Sequence, residues 1–252
     1  MPGRFQQDLR PGRFLSRTAG CVPRAPKQRD CLTILGVVFD LDGVLLDSEQ
    51  LWDLARRQLT LDHGGHWHDQ AQRDMMGMSS REWAQYMRDR LGVQLDPDAI
   101  SHETVERVEA LFRKHVPMIP GALDAVRRTA ERWPLALATS ANRPVIDFIL
   151  PRAGLAEFFR VTVSSEEVER GKPAPDVYLR AAQLLGFDPT RCAAVEDSHN
   201  GILSARAARM RVIAIPNTHY PPGQQAIITT DAILESISML TPEVVDPTLE
   251  LA

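Results

Sequence analysis

ILGVVFDLDGVLLDSE, residues 34–49, decides the reading of this chain. Its first part, ILGVVFD (34–40), is a continuous apolar run that ends on a carboxylate. A run of that length without polar alternation reads as a parallel strand buried on both faces. The same form returns in LALATS (135–140), FRVTVS (159–164), CAAVED (192–197) and RVIAIP (211–216). Helix-forming stretches lie between them, at roughly 122–132, 144–153, 175–185 and 200–208. Strand and helix alternating in this way imply right-handed crossovers and a parallel sheet covered on both faces. The segment 231–240 reads as a closing helix.

One interval breaks the alternation. Between about 51 and 117 the chain offers only helix-forming stretches: LWDLARRQLTL, REWAQYMRDRL and HETVERVEALFRKH. This insert leaves the carboxyl end of the first strand, the edge where substrates of open α/β sheets bind, so it is placed to act as a lid. The expected organisation is therefore an α/β core from 33–50 and 118–241, a helical cap at 51–117, and a C-terminal tail at 242–252. Residues 1–32 carry Arg4, Arg10, Arg13, Arg17, Arg24, Lys27 and Arg29 against Asp8 and Asp30, with four prolines and no periodicity. They read as a disordered basic tail, with an organellar transit peptide as the alternative.

Composition bounds the function. The chain has 252 residues, 44% of them hydrophobic, enough to bury a sizeable core. Lys plus Arg is 29 against 33 Asp plus Glu, a net charge of −4, so no global field favours nucleic acid or an anionic membrane. Cys21, Cys31 and Cys192 are odd in number and form no CxxC pair, which argues against a disulfide framework and suits a reducing, cytoplasmic setting. The longest apolar runs are strand-sized, well below the ~20 residues of a membrane span.

The chemistry collects at the strand exits. Asp40 and Asp42 can project to one side, and Gly43 permits the turn that follows them. Thr139 and Ser140 close the next strand, where hydroxyls and backbone N–H groups can hold phosphate. Lys172 sits in a restrained loop, GKPAPD, and Glu196–Asp197 leave another strand in VEDS ahead of Asn200–Gly201. A DxD pair alone is usually a solvated turn. The set differs because its members share one edge of one sheet. Several acids gathered there would be costly without a partner, and hard oxygen ligands in small number suit Mg²⁺.

These motifs, FDLDGVLLDSE, GKPAPD and EDSHNGI, resemble those of the haloacid dehalogenase-like hydrolase superfamily over 34 to about 240. DSEQLWD and AARMRVIAIPN are similar to its beta-phosphoglucomutase-like branch, especially bacterial sugar-phosphate phosphatases of the 2-deoxyglucose-6-phosphate phosphatase type. The resemblance implies an α/β Rossmann-like core with an inserted helical cap, and a phosphatase acting on a small phosphorylated metabolite. It implies Asp40 as nucleophile forming an aspartyl-phosphate, and Asp42 as acid and then base. It further implies Mg²⁺ held by Asp40, Asp197, the Asp42 carbonyl and Glu196, with Lys172, Thr139 and Ser140 on the transferring group. Asn200 would then fix the geometry of the metal loop.

Related mutases carry a His four residues after the Thr/Ser of the first motif. Trp52 stands there in this chain, which argues for hydrolysis over the alternative, a phosphosugar mutase. A catalytically silent binding protein on the same fold is opposed by the intact Asp40, Asp42, Lys172 and Asp197. Arg81 is a candidate for reaching the substrate from the lid, against the plainer reading of a helix-start Arg. His63, His66 and His68 in a Gly-broken loop read as solvated rather than metal-binding. Met75, Met76 and Met78 read as the lid–core boundary, and Trp52, Trp67, Trp83 and Tyr86 mainly as lid packing. The expected partner is a small phosphorylated metabolite bound by a monomer.

Overall fold

The computed structural model describes residues 33–251. Within them, six parallel strands form one sheet in the order β3-β2-β1-β4-β5-β6. They are β1 (Gly36–Phe39), β2 (Leu135–Thr139), β3 (Phe159–Ser164), β4 (Cys192–Glu196), β5 (Arg211–Ala214) and β6 (Ala232–Ile233). The apolar runs read from the sequence are the first five. The sixth lies where the sequence reads as helix. Its two residues pair with Ile213 and Ala214, and Asp231 just before them accepts from the Val212 N–H. A two-residue strand is too short to show a period of two, so periodicity could not separate it from helix. Within 231–240 the remaining regular element is a 3₁₀ turn at Ile237–Met239.

Alternate side chains of each strand enter different cores. Val37 and Phe39, with Leu135 and Leu137, face α5 (Ala122–Ala130) and α6 (Arg143–Arg152). Val38, Ala136, Ala138 and Ala194 face α7 (Asp176–Leu185) and α8 (His199–Ala207). Small residues on this second face let α7 and α8 lie close against the sheet, and Tyr178 is fully buried there. The segment 242–251 carries a short helix (Pro242–Val245) and a final 3₁₀ turn. Its buried Asp246 accepts from the Ile34 N–H at 3.0 Å, at the approach to β1.

The insert after β1 carries four helices joined by loops: α1 (Glu49–Asp62), α2 (Ala71–Met75), α3 (Ser80–Asp89) and α4 (Pro97–Lys114). Local chemistry sets its boundaries. Ser79 and Glu82 form a reciprocal capping box at the start of α3. Asp96 caps α4 by accepting from Ala99 N, with Pro97 at the first helical position. The chain leaves and re-enters the core along a narrow ribbon. Asp47 N donates to Pro117 O at 2.8 Å, and Ile119 N donates to Leu45 O at 3.0 Å. No helix among the described residues is long and apolar enough to cross a membrane.

Candidate active site

The chain turns one way from β1 to β2 and crosses the other way to reach β4, so the sheet reverses order between β1 and β4. Ligands of open α/β sheets settle in the crevice that such a reversal leaves at the carboxyl ends of the strands. Asp40 follows β1 directly, and its backbone N–H donates to Val195 O on β4 at 3.0 Å. Glu196 and Asp197 leave β4 beside it, and Thr139 ends β2 on its other flank. Residues more than 150 positions apart in the chain thus share one edge because their strands are neighbours.

One carboxylate oxygen from each of Asp40, Glu196 and Asp197 lies within 4.8 Å of the others. This is the only such cluster of potential metal ligands among the described residues. All three side chains are buried. Burial pushes the Asp40 carboxyl well above its ordinary range; Lys172 opposes that rise, while Glu196 and Asp42 add to it. Asp197 is raised likewise, by burial and then by Glu196 and Asp40. Lys172 is only 2% exposed, with Nζ 3.0 Å from Asp40 Oδ1 and 2.7 Å from Glu196 Oε1. Burial alone would lower the ammonium's pKa, but the two carboxylates outweigh it and hold the group above its ordinary value.

The three acids differ in what they leave free. Glu196 takes Lys172 Nζ and Tyr178 OH on one oxygen, and Asp197 N, Ser198 N and Ser198 Oγ on the other. Those five donors meet its roughly four lone-pair directions. Asp197 Oδ2 accepts from Asn217 Nδ2 at 2.9 Å, whereas its Oδ1 is buried with no hydrogen-bond partner. An orphaned buried carboxylate oxygen is costly, and a hard divalent cation is the partner it suits. The donor set therefore fits Mg²⁺, with Asp40 and Asp197 the acids best able to ligate it and Glu196 better placed to anchor Lys172 and the loop.

Two glycines are required by this crowding. Gly43 has φ +78°, and a Cβ there would sit 1.8 Å from Asp197 Oδ2. A Cβ on Gly201, in the first turn of α8, would lie 1.8 Å from Glu196 Oε1.

Asp42 lines the cavity beside Asp40 and Asp197. Its Oδ1 accepts from Ser48 Oγ and, at 3.1 Å, from Trp52 Nε1. Burial raises its carboxyl above the ordinary range, and these two hydrogen bonds pull against that rise. Thr139 and Ser140 line the same cavity. Thr139 Oγ1 accepts from Ala141 N, and Ser140 Oγ donates to Gly77 O on the insert, so each hydroxyl holds the loop around the cavity. Asn200 donates from Nδ2 to Met76 O at 2.8 Å, tying the start of α8 to the insert.

Arg81 is not brought to this cavity. It is exposed at the start of α3, because the helix turns Trp83, Ala84 and Met87 toward the core. The cation lining the cavity is Arg56 of α1, beside Glu49; neither is singled out by the sequence, nor are Gln72, Tyr178 and Asn217, which hydrogen-bond to Arg56 and Glu49, to Glu196 and to Asp197. One signal was available: Glu49, Trp52 and Arg56 at i, i+3 and i+7 place two charges on the face of α1 that packs inward. Arg56 is 6% exposed and its Cζ lies 4.9 Å from the ring centroids of both Trp52 and Trp83. Burial lowers its pKa to about 10, and burial with the nearby Asp42 raises Glu49 to about 7. Met75, Met76 and Met78 also line the cavity. The loop histidines are engaged elsewhere, His63 with Glu103 at 3.0 Å and His68 with Tyr86 OH at 3.3 Å.

Comparison with known proteins identifies the family and fold. The family profile of the haloacid dehalogenase-like hydrolases matches residues 34–209. The chain is 33% identical over 227 residues to hexitol phosphatase B of Escherichia coli K12, covering 82% of this chain and 95% of that one. It is 32% identical over 180 residues to the fructose-1-phosphate phosphatase YqaB of the same strain, covering 71% and 95%. The crystal structure of CbbY from Rhodobacter sphaeroides in complex with phosphate superposes with a TM-score of 0.75 at 27% identity, covering 85% of this chain and all of that one.

Proposed function

This chain belongs to the haloacid dehalogenase-like hydrolases and is a phosphoric monoester hydrolase; we propose that it hydrolyses a sugar or polyol monophosphate through a phosphoenzyme on Asp40. The observation that carries this reading is the convergence of Asp40, Asp197 and Lys172 beneath an independently held Asp42.

Asp40 is the nucleophile. Its carboxylate attacks phosphorus as the bond from phosphorus to the leaving oxygen breaks, giving an aspartyl-phosphate. Asp42 donates its proton to the departing alkoxide, then takes one from the water that attacks the intermediate, so the proton balance closes over one turnover. The raised carboxyl of Asp42 suits the first of these duties. Lys172 opposes the burial-driven rise of the Asp40 carboxyl and balances charge on the transferring group. Asp40, Asp197 and the Asp42 carbonyl would hold Mg²⁺, which when bound offsets the repulsion between an anionic nucleophile and an anionic phosphate. Thr139 and the backbone N–H of Ser140 cradle the phosphoryl oxygens.

The space between insert and core is only about 30 Å³, room for about one water. A phosphate ester therefore reaches Asp40 only when the cap parts from the core, and closure excludes bulk water from the intermediate. Trp52 bears on the competing mutase reading. Its ring N–H can donate to Asp42 but cannot take up a proton, unlike the His of the mutases this branch resembles.

The test is a phosphate-release screen with Mg²⁺ across sugar, polyol and nucleotide monophosphates, run beside Asp40→Asn. Metal-dependent release that vanishes in the variant is expected. Full activity in a folded Asp40→Asn protein would refute the mechanism. Turnover that needs a sugar bisphosphate and isomerises the substrate would favour the mutase.

A further inference from the structure

The cavity wall opposite the acids belongs to the insert and has an unusual makeup. Arg56 is more than nine-tenths buried, and its Nε has no hydrogen-bond partner. It makes no ion pair among the described residues. Its Nη1 donates to Gln72 Oε1 at 3.1 Å, and Gln72 Nε2 donates in turn to Glu49 Oε2 at 2.8 Å. Trp52 and Trp83 flank the guanidinium, so it has little freedom to seek a partner elsewhere. Arg56 and Glu49 thus both line the cavity, a donor and an acceptor linked through the amide of Gln72. None of these groups is needed to move the phosphoryl group.

We propose that Arg56, Gln72 and Glu49 form a reader for the leaving group, selecting uncharged, polyhydroxylated esters over those with a second anionic group. This rests on the phosphatase reading and gives its substrate a chemical class. A hydroxyl can accept from Arg56 Nε–H while donating to the Glu49 carboxylate, so vicinal hydroxyls satisfy both sides of the wall at once. A carboxylate or second phosphate could satisfy Arg56 alone. It would have no proton to give Glu49, and it would sit in a cavity that already holds Asp42, Asp40 and Asp197. A buried donor left unpaired by an ester lacking hydroxyls is what makes such a reader discriminate.

Two measurements test it. The first compares kcat/KM for glucitol 6-phosphate, phosphoglycolate, fructose 1,6-bisphosphate and phenyl phosphate in the wild type, Arg56→Lys and Glu49→Gln. The expected order places glucitol 6-phosphate first. In Arg56→Lys, its ratio to phenyl phosphate should fall at least tenfold. In Glu49→Gln, phosphoglycolate should gain on glucitol 6-phosphate by a similar factor. The second is calorimetry on Asp40→Asn protein, which reads the same preference as binding, with no turnover required. A tenfold preference there, weakened by adding Arg56→Lys, supports the reader even if phosphate release fails. Phosphate release with ratios unmoved by either variant, or a wild-type preference for phosphoglycolate or the bisphosphate, overturns the reader and leaves the phosphatase standing.

Discussion

Lys172→Met takes away the ammonium group that touches both Asp40 and Glu196 and leaves a side chain of similar length in its place. At 3.0 and 2.7 Å, with an effective dielectric near 20, each attraction amounts to roughly 5–6 kcal/mol before desolvation is counted. Relieving the ammonium of its burial returns part of that. The remainder should resemble other buried pairs that lose one partner, about 3–5 kcal/mol. For a domain whose total stability is about 5–15 kcal/mol that is a large fraction, yet it leaves room for a folded variant. The loss should depend on pH. Without Lys172 the already raised Asp40 carboxyl rises further, and a carboxyl raised in the folded state contributes stability at low pH that disappears as pH climbs through its folded value. Urea unfolding in metal-free buffer at pH 5.5 and pH 8 is the assay. The deficit relative to wild type should be largest at pH 8 and shrink at pH 5.5, and kcat should fall at least a hundredfold. A deficit below about 1 kcal/mol at pH 8, or one equal at both pH values, would refute the claim that Lys172 holds the carboxylates together.

Mg²⁺ should raise the thermal midpoint of the wild type, by up to about 2.7 kcal/mol of stability at a hundredfold excess over Kd. Asp197→Asn should abolish most of that rise, and differential scanning fluorimetry with and without EDTA reads both. Gly43→Ala should do the same by a different route, because its Cβ would occupy the space of Asp197 Oδ2 at a positive φ. A metal-dependent shift of wild-type size in that variant would contradict the packing described. Trp52→Phe keeps the ring but deletes the N–H to Asp42. Steady-state kinetics should show kcat lowered about tenfold, in line with a hydrogen bond to a charged group. For Glu49, whose carboxyl titrates at about 7 when folded against an ordinary 4.5, the stabilising contribution is complete below 4.5 and lost as pH rises through 7. Glu49→Gln should therefore gain stability relative to wild type between pH 5 and pH 8 in metal-free unfolding curves, by at most about 3 kcal/mol.

The five long strands, the helices between them, the helical insert and the acids at the strand exits were all legible in the sequence. Each is a local signal: an apolar run, a 3.6-residue period, or a carboxylate at the end of a strand. Asp40 and Asp197 could be named because strand exits in a parallel sheet share one edge whatever the order of the strands. That order, and so the adjacency of β1 and β4, is a non-local pairing that no window of residues contains. For the same reason β6 went unseen, since two residues gain strand character only from the neighbour they pair with. The insert's contribution was also decided in three dimensions. Arg81 and Arg56 are the same residue type on similar helices, yet packing turns one to solvent and the other, between two tryptophans, to the cavity. Sequence chose which groups the chain carries; burial and the direction each helix faces decided which of them line the cavity.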